Sequence, residues 1–283
     1  MRVYPALRIT FFESPSEEQM DLLLALLDDF RPAAINDIDN GVIAYFGSAS
    51  VRDDALAQLG SFELVDVTAE DVPDENWAER SQAALTPVTV GRLTIAPPWT
   101  VTDELRASAP GPIIVILPSM GFGTGHHAST RLCLELLQRV PVRGKRVLDI
   151  GTGSGVLAIA ARILGAASVV GIDFDPDAIT NARENLELNK SPIGVTFVES
   201  DIQAHASGAT GAYDLILANL TGSLLQREAG VIGAIAGSGS DLIVSGFQVH
   251  EVDAVKKAFE SIGWQHEDRI ESESWMASRF GKQ

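Results

Sequence analysis

A single cysteine, Cys133, stands in 283 residues, so the chain can close no internal disulfide and build no thiol metal cluster. Long hydrophobic runs are missing as well. Residues 22–27 and 113–117 are apolar, but both fall far short of the roughly 20 residues that span a bilayer, and the first is closed by Asp28 and Asp29. The start carries no basic, apolar, small-residue leader, so the expectation is a cytoplasmic protein without a membrane role. Positive charge is scarce: 21 Lys and Arg against 38 Asp and Glu give a formal net charge of -17. Such a surface repels phosphate backbones, which argues against nucleic acid as a direct partner, and attracts basic proteins; acidity also serves solubility alone. Repeats and low-complexity segments are absent.

What is present is an ordinary globular composition, 46% hydrophobic, in a chain long enough for a large domain and a smaller one. The first stretch reads as strand 4–11, helix 16–30, strands 33–38 and 42–46 around Asp39-Asn40-Gly41, helix 51–59 and strand 62–67. An Asn-Gly pair between two apolar runs is a hairpin signal, and the β-α-β-β-α-β order predicts a ferredoxin-like α+β domain over 1–69. Acidic residues and prolines from Glu70 suggest a loop and a short linker helix capped by Asp74, making 70–86 the join. From 87 to 283 strands and helices alternate, which predicts a doubly wound α/β domain closed by an antiparallel pair at 264–270 and 274–280.

The segment Val147-Leu148-Asp149-Ile150-Gly151-Thr152-Gly153-Ser154-Gly155-Val156 joins an apolar strand to a helix through a glycine turn. Glycines let the backbone turn sharply against a ligand at the carboxyl edge of a parallel sheet. The next strand ends at Asp173, placed to accept ribose hydroxyls. Gly153, Gly155 and Ala158 also satisfy the loose dinucleotide fingerprint, so the glycines alone leave the cofactor open. A third strand leads to Asp201 and a fourth ends at Asn219. That series resembles the Rossmann-like class I S-adenosylmethionine-dependent methyltransferases. The resemblance implies that the turn, with Gly151 and Gly153, meets the methionine part, Asp173 the ribose and Asp201 the adenine. Asp201 read alone serves equally as a helix N-cap.

Before this turn lies Gly121-Phe122-Gly123-Thr124-Gly125-His126-His127-Ala128-Ser129-Thr130, a glycine-rich loop able to close over a ligand, with Phe122, Thr124 and Thr130 as candidate cofactor contacts. The plainer alternative is a helix start capped by Ser129 or Thr130. Taken with Asn181–Asn185, Asn219-Leu220-Thr221 and Pro97-Pro98-Trp99, these segments resemble the PrmA family, which methylates protein L11 of the large ribosomal subunit. The resemblance implies a substrate-recognition domain joined by a linker to a methyltransferase domain. It also implies cofactor-binding positions at Thr130, Gly151, Asp173 and Asn219, and a basic ribosomal protein as substrate. Trimethylation of lysine side chains is then expected, with the N-terminal amine a further target. Asn219 is expected to orient the amine. The family usually has cysteine where Thr152 stands, Asn-Ile-Leu where Asn219-Leu220-Thr221 stands, and Ser-Gly-Ile-Leu where Ser245-Gly246-Phe247-Gln248 stands.

Adjacent His126 and His127 point to different sides of any regular element and have no ligand cluster around them, so no metal site is expected. Trp77 and Trp99 read as linker packing and Cys133 as a buried helix residue. A monomer is the default expectation. The alternatives are a methyltransferase of the same fold acting on another protein or a small amine, and a nicotinamide-linked or non-catalytic nucleoside-binding protein.

Overall fold

The computed structural model describes residues 3–16, 19–20, 23, 26–27, 30, 32–38, 40–60, 64–73, 85–118, 126–190 and 193–282. The chain forms two compact units, Met1–Ser81 and Gln82–Gln283. Part of the expected helix 16–30, the segment 74–84 with Trp77, and the loop 119–125 with Phe122 and Thr124 lie outside the described residues.

In the first unit, β1 (Val3–Phe11), β2 (Ala34–Ile38), β3 (Gly41–Tyr45) and β4 (Val65–Pro73) form an antiparallel sheet in the order β2-β3-β1-β4. With α1 (Ala49–Leu59) between β3 and β4, this is the ferredoxin-like arrangement. Leu7, Ile9, Phe11, Leu23, Leu27, Val42, Phe46 and Leu59 fill its core. Ile38 pairs with Gly41, so Gly41 already belongs to the strand. Its glycine is required by closeness: a Cβ there would stand 2.0 Å from the Ile9 carbonyl oxygen. β4 also runs further than the sequence suggests. Residues 70–73 pair with Val3–Ala6 because β1 extends nine residues alongside them, so Glu70 and Asp71 are strand residues and not loop. Arg8 and Arg52 neutralise them, at 3.0 Å from Glu70 and 2.6 Å from Asp71.

The second unit opens with a small sheet of β5 (Val88–Val90), β6 (Leu93–Ala96) and β7 (Ile113–Val115), with the unforeseen helix α2 (Asp103–Ser108) between β6 and β7. Its main sheet has seven strands: β8 (Arg146–Ile150), β9 (Ser168–Asp173), β10 (Val195–Glu199), β11 (Tyr213–Asn219), β12 (Ala236–Gln248), β13 (Trp264–Ser272) and β14 (Trp275–Lys282). The order is β10-β9-β8-β11-β12-β14-β13, with β14 alone antiparallel to the others. Helices α3 (Ala128–Leu137), α4 (Val156–Ile163) and α5 (Pro176–Leu188) cover one face. The other carries α6 (Ile202–Ala206), α7 (Gly222–Ile235) and α8 (Val252–Glu260). Alternate residues of one strand therefore enter different cores: Val147, Leu215 and Leu217 face α3 and α4, while Leu148, Ile216 and Ala218 face α7 and α8. Strands buried on both faces read as unbroken apolar runs, which is why they were visible in the sequence. Among the described residues no helix is long and apolar enough to cross a membrane.

Register positions the site. Ile150 pairs with Ile172 on one side and with Ala218 on the other, so Gly151, Asp173 and Asn219 emerge level at the carboxyl edge. β8 is also where the strand order reverses, the place where an open α/β sheet leaves a crevice.

A buried carboxylate ties the sheet away from that edge. Asp241 on β12 accepts from the Lys145 ammonium, which precedes β8, and from Arg279 on β14 at 2.7 Å. Asp241→Ala leaves Lys145 without its partner and Arg279 with Glu267 alone, and is expected to cost about 3 kcal/mol; urea unfolding of the variant against the wild type measures it.

Candidate active site

Gly151, Gly153 and Gly155 all have positive φ, +67°, +51° and +79°, values that a side chain strongly disfavours. The turn is held from the neighbouring strand. Asp173 Oδ2 accepts from the Gly153 N–H at 3.0 Å, and its Oδ1 accepts from the Asp175 N–H at 3.1 Å. Asp175 in turn caps α5, accepting from the Asp177 N–H at 2.9 Å, with Pro176 in the first turn. The Asp173 carboxylate is thus fixed by two backbone donors, and each oxygen retains capacity for a further hydrogen bond. A Cβ on Gly151 would lie 2.6 Å from Leu220 Cδ2, so the loop after β11 packs directly on the turn. Asn185 anchors the turn from α5: its Nδ2 donates to the Ser154 carbonyl at 2.9 Å and its Oδ1 accepts from the Leu117 N–H at 2.8 Å.

These groups open on a cavity of about 1170 Å³, lined by Gly151, Gly153, Asp173, Asp201, Asn219 and Phe174 among others. Phe174, immediately after the acid, is 80% exposed, an apolar ring offered to the cavity and to solvent. Asp201 lines the wall and caps α6 at once, its Oδ1 accepting from the Ala204 N–H at 2.7 Å. Asn219, at the end of β11, donates from Nδ2 to the buried Thr130 hydroxyl at 3.2 Å. Thr130 is not the cap of α3, nor is Ser129. His127 is, its Nδ1 accepting from the Ser129 N–H at 3.3 Å while its ring meets Trp275 edge-on. The helix begins two or three residues earlier than the hydroxyls suggested, and Thr130 is buried within its first turn. His126 bonds to the Thr86 carbonyl at 2.8 Å.

Two carboxylates escaped the sequence reading. Glu228 of α7 lines the cavity almost fully buried, paired with Arg227 Nε at 2.8 Å and Gln203 Nε2 at 3.3 Å. Asp149 lies beneath the glycine turn. Its Oδ2 accepts from Thr152 Oγ1 at 2.6 Å and from the Ala158 N–H, an orphan donor of the first turn of α4, at 3.2 Å. Its Oδ1 is buried and has no partner among the described residues. Burial pushes its pKa up to about 7; the Thr152 and Ala158 hydrogen bonds oppose that rise, and the Asp173 charge adds to it. Neighbouring Cys133, buried on α3, is likewise pushed up by burial and is held as a neutral thiol.

A glycine turn with positive φ, a fixed carboxylate beside it, and a cavity lined by an aromatic ring and an amide suit a nucleoside joined to an amino acid. With the strand order above, they define a Rossmann-like S-adenosylmethionine-dependent methyltransferase. Comparison narrows the class. The family model described as ribosomal protein L11 methyltransferase (PrmA) matches residues 18–283. A protein of that description from Deinococcus radiodurans is 39% identical over 206 residues, 71% of this chain and 74% of its own. Another, from Geobacter sulfurreducens, is 37% identical over 247 residues, 82% of this chain and 79% of its own. The crystal structure of ribosomal protein L11 methylase from Lactobacillus delbrueckii subsp. bulgaricus matches with a TM-score of 0.63 at 26% identity, covering 70% of this chain and all of that one. The chain belongs to the ribosomal protein L11 methyltransferase family, and S-adenosylmethionine is its cofactor.

Asp149 makes stability depend on pH. Its native pKa, about 7, lies above the ordinary 3.8. Between those values the native state keeps a proton that the unfolded chain releases, so stability falls as pH rises from about 4 to about 7 and then levels off. Asp149→Asn is expected to remove this component. Urea midpoints at pH 5 and pH 8 should differ less in the variant than in the wild type; parallel profiles would mean that Asp149 ionises normally.

Proposed function

We propose that this chain transfers methyl groups from S-adenosylmethionine to lysine side chains, and to the N-terminal amine, of ribosomal protein L11. The observation carrying the proposal is the strand register that sets Gly151, Asp173 and Asn219 level around one cavity. In this reading Gly151 and Gly153 face the amino-acid part of the cofactor, Asp173 the ribose hydroxyls and Asp201 the adenine, while the buried Thr130 serves through its hydrogen bond to Asn219. The bound cofactor supplies an electrophilic methyl on a positively charged sulfur. The protein's task is to present an unprotonated amine in line with it.

Only about one free lysine in a thousand is neutral near pH 7.5. Desolvation in the cavity favours the neutral amine. Asn219 then orients it. With Nδ2 engaged by Thr130, the Oδ1 is the end of the amide turned to an incoming N–H. The first domain, whose sheet runs on through Pro73, serves substrate recognition, and the acidic surface suits a free basic protein better than an RNA-covered particle. We place the enzyme in the cytoplasm, as a monomer without direct nucleic acid or membrane contact.

Intact-mass analysis of unmodified L11 incubated with the protein and S-adenosylmethionine tests the proposal: stepwise methyl additions are expected, and an unchanged mass would refute L11 as substrate. Asn219→Ala is expected to lower turnover about 100-fold with little change in cofactor affinity. Asp173→Ala should instead weaken S-adenosylhomocysteine binding by about tenfold or more, read by calorimetry.

A further inference from the structure

Strand β12 is interrupted at the level of Asn219. Its pairing with β14 shifts register between Ser245 and Phe247, leaving Gly246 as an extra residue in the strand, with φ of +88°. Such a bulge re-aims the backbone locally. Here the Ser245 carbonyl is turned to the Leu220 N–H at 2.9 Å, while Ser245 is fully buried and its Oγ donates to the Met276 carbonyl at 2.7 Å. The residue Asn219 pairs with Ser245, the last rung between β11 and β12. Gly246 therefore lies directly against the end of β11. A Cβ on it would stand 2.6 Å from the Leu220 carbonyl oxygen and 2.9 Å from Asn219 Oδ1. The first is main chain and has no rotamer by which to move aside; the second is the oxygen that faces the amine. At the opposite end of the same amide, Asn219 Nδ2 bonds to Thr130, which is buried in the first turn of α3.

We infer that Gly246 and Thr130 form a clamp that sets the amide of Asn219 for methyl transfer, Thr130 fixing the nitrogen end and Gly246 leaving the oxygen end its place. The inference rests on the amine-orienting role proposed above for Asn219. Both are positioning residues, since they act through Asn219. A glycine is demanded at 246 twice over, by the left-handed backbone and by the approach of Oδ1. Gly239 separates the two demands: it lies in the same strand with φ of +72°, and a Cβ there would meet nothing within 4 Å among the described residues.

The test compares Gly246→Ala and Gly239→Ala in thermal stability, S-adenosylhomocysteine affinity and turnover on L11. Both should lose stability. Only Gly246→Ala should lose kcat, by about 100-fold, with cofactor affinity within about threefold. Each is then combined with Asn219→Ala. A clamp acting through Asn219 has nothing left to act on in that background, so Gly246→Ala should cost no further turnover. An equal loss in both backgrounds, or an equal loss for Gly239→Ala, would overturn the clamp while leaving the role of Asn219 intact. Full turnover by Asn219→Ala alone would overturn that role and the clamp with it. Should Gly246→Ala fail to fold, Thr130→Val enters the same cycle: non-additivity with Asn219→Ala, and recovery of kcat in Thr130→Ser, support the clamp, and additivity overturns it.

Discussion

The pairing of Ile150 with both Ile172 and Ala218 is the constraint from which the site follows. A shift of one residue in either ladder would exchange the two faces of a strand and carry Asp173 or Asn219 away from the glycine turn. The register is held by burial on both sides. Val147 and Leu148, or Leu215 and Ile216, fill opposite cores, so a slip would misplace every side chain of a strand at once. Onto this frame the loops add short polar ties: Gly153 to Asp173, Asp175 to Asp173, Leu220 to Ser245 and Asn219 to Thr130. Each joins the end of one element to the next, so the edge of the sheet behaves as a connected rim.

The parts of this rim that come from adjacent residues were legible in the sequence. The glycine turn, Asp173, Asp201 and Asn219 each terminate an apolar run, and the run itself names the strand. The ferredoxin-like order was legible for the same reason. What stayed hidden depends on contacts between distant segments. Thr130 and Asn219 are 89 positions apart, and nothing local says that their side chains meet. Glu228 sits in a helix of mixed composition, and its partner Gln203 lies on another helix. The length of β4 was set by its partner β1, against the local acidity of Glu70 and Asp71. His127 displaced Ser129 and Thr130 as the cap because its ring also finds Trp275, far along the chain. Gly41 was read as a turn glycine, but close approach to β1 is what requires it.

The positions where this chain departs from the usual family pattern acquire physical meaning. Thr152, where cysteine is usual, donates a hydroxyl hydrogen bond to the buried Asp149, a stronger donor than a thiol would be. Leu220 lies on Gly151, filling the space that the missing Cβ leaves. Phe247 points into the core shared with α7 and α8, so that change repacks the interior and leaves the cavity lining untouched. Of these departures Thr152 and Phe247 fall behind the cavity, and Leu220 lies on its wall.

Crystallography of the protein with S-adenosylhomocysteine tests the central claim most directly, because it locates the nucleoside and the reacting sulfur relative to the rim. The ribose hydroxyls are expected on Asp173, the amino-acid part over Gly151 and Gly153, and the sulfur facing Asn219, whose Nδ2 stays on Thr130. A nucleoside that makes no contact with Asp173, or a sulfur directed away from Asn219, would contradict the account.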